Sequence, residues 1–349
     1  MEGRKVQRVG HSTLAVSLPH EWVKEVGLRQ GDLLMCNPEK DEALRLVPSS
    51  MAQRKAEVKE CLINSDLCDE SGMLERIVVG NYVLGREIIR VVSAQRIKGE
   101  HLDEIRRTVR RLMGLGIIEE TPTQVALQCS IDPVKFPIHM AMRRLYVIAS
   151  TMHKEAIQAL TEHDLKLADE TVRREEEADM IYWLIIRLAS VAQQDKALAR
   201  ELGLEESMQI LSSRVLVHFL ERIGDWGELI AKNVLEIGAY GTKIKPLVID
   251  SISQLSDLAQ AVCHKAMDCF FTGDVLLANS AIETYKKIIE TKEEKLIQEI
   301  STEVPDAAVC MRLRAVVWGI RRIAELGAEV AEITIDRALE RPSKICETY

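Results

Sequence analysis

Four carboxylates on two helical stretches form the group most suited to chemistry: Glu175 and Asp179, then Glu221 and Asp225. Within each pair the spacing is i, i+4, so both acids leave the same helix face one turn apart. Glu290 and Glu294, followed by Glu325 and Glu329, repeat the spacing later in the chain. Clustered carboxylates repel one another unless cations or protons intervene. An all-oxygen donor set suits hard divalent ions, or iron, manganese or zinc bridged by carboxylates. The spacing alone is also that of an ordinary solvated acidic face, and that reading stands beside the first. Two basic groups complete the inventory: Arg4, Lys5, Arg8 and His11 at the start, and Arg106, Arg107, Arg110 and Arg111 farther on. Either group could meet phosphate oxygens, and each could equally be solvated surface.

The elements that must position these groups fall into three parts. From Phe136 onward the 3.6-residue apolar period is nearly continuous, with breaks near Asp164, Gly203, Gly241, Gly273 and Pro305. This predicts about six long helices, as one bundle or two stacked three-helix bundles. Residues 55–130 alternate between strand and helix: Val58 to Ile63, a helix from Gly72 to Val83, Ile88 to Val92, a helix from His101 to Met113, then Ile117-Ile118 and Val125 to Leu127. That order predicts a small α/β unit. Its second helix turns Leu102, Ile105, Val109 and Leu112 inward and its four arginines outward.

Residues 4–47 read as short strands around one short helix. Val6, Leu14, Val16 and Leu18 mark two strands split by Gly10-His11-Ser12, and Pro19 and Gly27 bound the helix. The turn at Glu39-Lys40-Asp41-Glu42 separates the last two strands. Trp22, Val23 and Val26 give so small a core that one copy would be unstable alone, which predicts a homodimer.

Composition limits the choice of function. A chain of 349 residues predicts two or three domains, and 47% hydrophobic with 29% charged residues is ordinary for a soluble protein. The net charge of −8 argues against coating nucleic acid through bulk positive charge, so any DNA contact must be local. No stretch reaches the ~18 apolar residues of a membrane span, and the start lacks the apolar core of a signal peptide; a cytoplasmic protein is expected. The eight cysteines, at 36, 61, 68, 129, 263, 269, 310 and 346, form no Cys-x-x-Cys pair and are expected to be reduced core residues.

Two resemblances sharpen this. Val9-Gly10-x-Ser12-x-x-Val16-x-Leu18-Pro19-x-x-Trp22, followed by Gly27-Leu28-x-x-Gly31-Asp32, resembles the AbrB/MazE/SpoVT swapped-hairpin family. The resemblance implies two chains interlaced into one core, with Arg4, Lys5, Arg8 and His11 presented to DNA. Leu220-Glu221-Arg222-Ile223-Gly224-Asp225-Trp226-Gly227-Glu228, with Glu175-Glu176-Glu177-Ala178-Asp179 on the preceding helix, resembles the PhoU domain over roughly residues 135–340. Residues 112–120 also resemble the intervening segment of archaeal PhoU-like proteins.

The PhoU resemblance implies a mainly α fold: tandem three-helix bundles preceded by the small α/β unit and the swapped-hairpin β domain. The expected domains are 1–48, 49–132, 133–242 and 243–340. It implies divalent or iron-type metal ions held by Glu175, Asp179, Glu221, Asp225 and Glu228, with Glu290, Glu294, Glu325 and Glu329 as a weaker second set. Arg321 stands where the second copy should carry its first carboxylate, leaving that set in doubt. The function implied is regulation of phosphate uptake, through DNA or through the ATPase subunit of a phosphate transporter, with no enzymatic activity. A dimeric adapter that does not bind DNA is the alternative. A di-metal oxidase is disfavoured, because none of the eight histidines has a glutamate three positions before it.

Overall fold

The computed structural model describes residues 3–38, 43–49, 59–204, 207–340 and 346. The chain divides into two units, residues 1–58 and residues 59–349. In the first, β1 (Gln7–Val9) and β2 (Thr13–Ala15) form a hairpin with Arg8 opposite Leu14. Helix α1 (His20–Glu25) follows Pro19, and β3 (Leu34–Pro38) pairs with β4 (Leu44–Pro48). These are the elements the turn residues and apolar alternation predict. The acidic turn at 39–42 lies outside the described residues. Val6, Val9, Leu14 and Leu33 are each more than half exposed, and Trp22 only half-buried, so within one chain the hairpins enclose almost no core.

The second unit begins with the α/β layer. Strands β5 (Glu60–Asn64), β6 (Ile88–Val92), β7 (Leu115–Glu120) and β8 (Gln124–Cys129) form one sheet in the order β5-β6-β8-β7. β5 and β6 are parallel and β8 runs antiparallel to both its neighbours. The expected strand therefore starts later than predicted, and Val58 lies outside the described residues. Helices α2 (Met73–Val83) and α3 (Gly99–Arg111) pack on the sheet through Leu74, Val78, Tyr82, Ile105 and Leu112, all buried. The predicted inward face of α3 is correct but incomplete. Glu104 is also buried, and its carboxylate accepts the Gly72 N–H at 2.7 Å and the Glu75 N–H at 3.2 Å, capping the otherwise unpaired first turn of α2.

The helical body comprises two similar halves. The first holds α4 (Ile138–Glu162), α5 (Leu165–Gln194), the short α6 (Lys196–Glu201) and α7 (Ser207–Tyr240). The second holds α8 (Pro246–Thr272), α9 (Val275–Thr284), α10 (Glu290–Glu303) and α11 (Ala307–Ala338). Helix starts follow the acidic caps: Asp164 accepts the N–H groups of Lys166 and Leu167, and Asp306 those of Ala308 and Val309. The predicted breaks are present, and the structure adds two, the first at the extended Asp195 between α5 and α6. Residues Tyr285–Ile289 form a π-helical turn joining α9 to α10, which shifts the face that the following residues present.

One apolar core runs through both halves, including Leu145, Ile185, Leu216, Ile230, Val262, Ile289 and Val317. Polar links reinforce it: the fully buried His153, pushed down to about 4 by desolvation and so neutral, shares a 3.0 Å hydrogen bond with Ser256. Gly227 and Gly327 sit mid-helix where a Cβ would meet the backbone of α4 and of α8, at His153 N (3.1 Å) and Cys263 Cα (3.2 Å). Glycine weakens a helix by roughly 1 kcal/mol against alanine, and close helix approach offsets that cost.

Of the cysteines, four (Cys68, Cys129, Cys263 and Cys269) are buried as expected, whereas Cys36 is exposed, on the thinly packed first unit. Among the described residues no helix is long and apolar enough to cross a membrane.

The α/β layer is fastened to the body by Arg187 on α5. Buried to 5% exposure, it donates to the carbonyls of Tyr82 and Arg86 and lies 4.9 Å over the Tyr82 ring. Its charge faces the carbonyl-rich C-terminal end of α2, where a cation is stabilised by the helix dipole.

Candidate functional site

Helices α5 and α7 lie side by side in the first half and place their acids on a common face. Asp179 is 7% exposed, while Glu175, Glu221, Asp225 and Glu228 are half-buried. Their proximity appears in their electrostatics. Burial pushes Glu175 up to about 7, and the charges of Asp179, Glu228 and Asp225 add to it, with Arg111 opposing. Burial likewise pushes Glu221 up to about 7, helped by Asp225 and Asp179 and opposed by Arg222. Asp225 is raised as well, chiefly by burial, against the pull of Arg222. The cluster holds more negative charge than its surroundings neutralise.

The basic side chains near it, among the described residues, are few. Lys232 reaches Glu228 at 2.6 Å, Arg222 stands 3.9 Å from Asp225, and His218 Nδ1 stands 3.8 Å from Glu221. The closest partner of Asp179 comes from outside the bundle. Arg111, the last residue of α3, donates to Asp179 Oδ2 at 2.6 Å and to Glu75 Oε1 at 2.7 Å. The sequence placed Arg111 on a solvated arginine face, and no local pattern signals a partner 68 residues away. Arg106 on the same face is paired with Glu120 at 3.0 Å, so acids already engage half of that face.

As a donor set, the five carboxylates fit a hard cation by their oxygen chemistry and surplus charge. Among the described residues, however, no three His, Cys, Asp or Glu side chains stand close enough to share an ion. The guanidinium of Arg111 supplies the nearest neutralisation instead.

The second half departs further. Tyr285 stands eleven residues after its capping Asp274, as Glu175 does after Asp164. Its hydroxyl accepts from Arg321 at 3.3 Å, and Arg321 pairs with Glu293 at 3.1 Å. Glu325 is held by Arg322 at 2.6 Å, Glu294 is exposed, and Glu329 is half-buried and raised by burial and by Glu325. The side chain of Glu290 lies outside the described residues. Sequence spacing missed Tyr285 and Glu293 because the π turn resets the register between them. The doubt raised by Arg321 has a physical form: this half carries its own cation where the first half has Glu221.

In the first unit, Arg4, Lys5, Arg8 and His11 are all exposed along β1 and its turn. Arg4 donates to Ser17 Oγ at 3.4 Å across the hairpin.

Comparison with known proteins bears on the helical body. The PhoU domain family model matches residues 142–234, which is the first half alone. The solved structure of PhoU from Pseudomonas aeruginosa is similar at 20% identity with a TM-score of 0.50, covering 57% of this chain and 93% of that one. PhoU from Streptococcus pneumoniae, titled a phosphate transport system regulatory protein, is similar at 18% identity and a TM-score of 0.48, over 57% of this chain and 91% of that one. No curated protein matches the chain. The expected PhoU sequence resemblance over both halves is thus found in the first, where residues 142–234 match the PhoU domain model, and the helical body has a fold like that of the Pseudomonas aeruginosa PhoU structure.

Proposed function

We propose that this chain is a regulator of phosphate uptake, in which the acidic face of the first PhoU-like half takes up cations and the first unit binds DNA as a homodimer. The observation that carries it is the under-neutralised cluster of Glu175, Asp179, Glu221, Asp225 and Glu228 inside the PhoU domain match. Because no three of these described acids stand close enough to share one ion, a cation would be met by one or two of them, supplying positive charge to carboxylates that burial otherwise drives towards protonation. The protein's own part is to position them: α5 and α7 present the acids one helical turn apart, and Arg111 competes for Asp179. The role is regulatory rather than catalytic.

DNA binding is argued from charge placement. Arg4, Lys5, Arg8 and His11 lie on one exposed hairpin, and dimerisation would present them twice at a spacing fixed by symmetry. The exposed Val6, Val9, Leu14 and Leu33 supply apolar surface for such a dimer. A gel shift against DNA upstream of phosphate-transport genes, run at two salt concentrations, tests it. Changing Arg4, Lys5 and Arg8 to alanine should reduce the salt slope by about one unit per lost phosphate contact. If the same changes at Arg106, Arg107, Arg110 and Arg111 abolish binding instead, the helix carries it.

The second reading is an adapter that joins the ATPase subunit of a phosphate transporter without touching DNA. The net charge of −8 favours it, since an acidic body gives DNA no general attraction. Absence of any gel shift at low salt, with dimerisation intact, would select it.

A further inference from the structure

A cleft of about 700 Å³ opens where the α/β layer meets the helical body, a volume typical of small-molecule sites. Unlike the acidic face nearby, its lining sets a single carboxylate, Glu75, against a surplus of positive charge. Three guanidiniums reach it: Arg76 from α2, Arg111 from α3 and Arg214 from α7. Arg111 is engaged by Glu75 and Asp179. Arg76 and Arg214 form no ion pair among the described residues; Arg214 has only a 3.4 Å hydrogen bond to Ser190 Oγ. In a chain of net charge −8, two unpaired arginines sharing one concavity with a third mark a place prepared for an anion.

The remaining lining specifies more than charge. Tyr182 and Trp183 contribute half-buried rings whose centroids lie 4.9 Å apart, and Val79, Val83 and Ile186 supply apolar wall. A flat ring finds dispersion and cation–π partners there, next to the guanidiniums. Two glycines keep the space clear. At Gly72 a Cβ would lie 3.0 Å from Arg76 Nη1, so the missing side chain lets that guanidinium fold back at the start of α2. At Gly80, inside α2, a Cβ would meet nothing within 4 Å. No close approach offsets the helix cost of Gly80, unlike that of Gly227, and what it leaves is room in the cleft.

We propose that this cleft binds a nucleotide, with its phosphate held by Arg76 and Arg214 beside Arg111 and its base set against Tyr182 and Trp183. Such a ligand would act where the acidic face is neutralised, because Arg111 serves both. An anion in the cleft and Asp179 would compete for one guanidinium, so nucleotide and cation at the acidic face are expected to influence one another's binding. The site rests on the cleft alone and goes beyond the reading of phosphate-uptake regulation; its failure would leave that reading standing.

The test is calorimetric titration of the full chain with AMP, GMP, adenosine and inorganic phosphate. At least one nucleotide should bind, and adenosine and inorganic phosphate should each bind roughly tenfold more weakly or worse, since each keeps only half of the recognised chemistry. Arg76→Ala and Arg214→Ala, both at exposed positions, should each weaken nucleotide binding by roughly tenfold. Gly80→Phe should abolish it by filling the cleft while the unfolding temperature is kept. The proposal is overturned if neither nucleotide binds at millimolar concentration. It is equally overturned if adenosine or inorganic phosphate binds as tightly as the nucleotides, or if all three variants bind like the parent.

Discussion

Replacing Arg111 by alanine tests whether a residue of the α/β layer neutralises the acidic face of the bundle. Asp179 is 7% exposed and receives the guanidinium at 2.6 Å. At an effective dielectric of 20, unit charges ~4 Å apart attract by about 4 kcal/mol. The Arg111 side chain is 46% exposed, so solvent screening and its own desolvation reduce the net loss to about 1–2 kcal/mol. For a unit this large, that is a fall in Tm of roughly 2–3 °C. Arg111→Ala, Asp179→Asn and the double variant form a thermodynamic cycle, read by urea unfolding at pH 7. Arginine loss should cost at least about 1 kcal/mol less in the Asp179→Asn background, where no carboxylate is left uncompensated. If the two changes add to within about 0.4 kcal/mol, they are independent, and Arg111 is a surface cation with no part in the site.

The raised pKa values give a pH dependence of definite sign. Glu175 and Glu221 titrate near 4.5 when unfolded and near 7 when folded, so between those values the folded state holds more protons and stability falls as pH rises. Calorimetry from pH 4.5 to 8 should show Glu221→Gln losing part of this slope, and an unchanged slope would place Glu221 in ordinary solvent. Millimolar magnesium or manganese should raise Tm more at pH 8 than at pH 5, because protons and cations compensate the same charge. Elemental analysis should find that Asp225→Asn lowers metal content more than Glu325→Gln, since Arg322 already holds Glu325. Unchanged metal in both variants would remove the metal from this face. Finally, Gly227→Ala should destabilise by roughly 1–3 kcal/mol in urea unfolding, its Cβ falling 3.1 Å from the α4 backbone, whereas Gly224→Ala, 3.8 Å or more from its neighbours, should gain about 0.5–1 kcal/mol. Equal effects at the two positions would show that helix packing does not distinguish them.

Much of this architecture was legible from short-range signals. Caps such as Asp164 and Asp306, the left-handed Gly273, and the period of 3.6 set the helices of the body to within a few residues. Alternation and turn residues did the same for the strands. The i, i+4 spacing, joined to the Leu220–Glu228 motif, brought out the acids of α5 and α7. Local patterns carry no information about pairings across the fold. Arg111 reaches Asp179, Arg187 reaches Tyr82, and Glu104 caps a helix through Gly72, 32 residues before it. Each looks in sequence like an ordinary charged surface residue. The second half carries a feature that spacing does not reveal: a π turn adds one residue to a helical turn, so residues beyond it present a different face, relative to those before it, than in an unbroken helix.

The trio Tyr285, Arg321 and Glu293 makes the two halves of the body unequal partners. One half satisfies its charge from within, using residues of its own helices, and therefore has little reason to change shape with the ionic composition of its surroundings. The other borrows a guanidinium from a neighbouring layer and keeps acids whose protonation shifts near neutrality. A molecule built this way has a fixed half and a responsive half. If the proposed cation uptake holds, binding should follow a simple hyperbola with one class of sites per chain, and any steeper response would have to arise between chains rather than between the repeats of one.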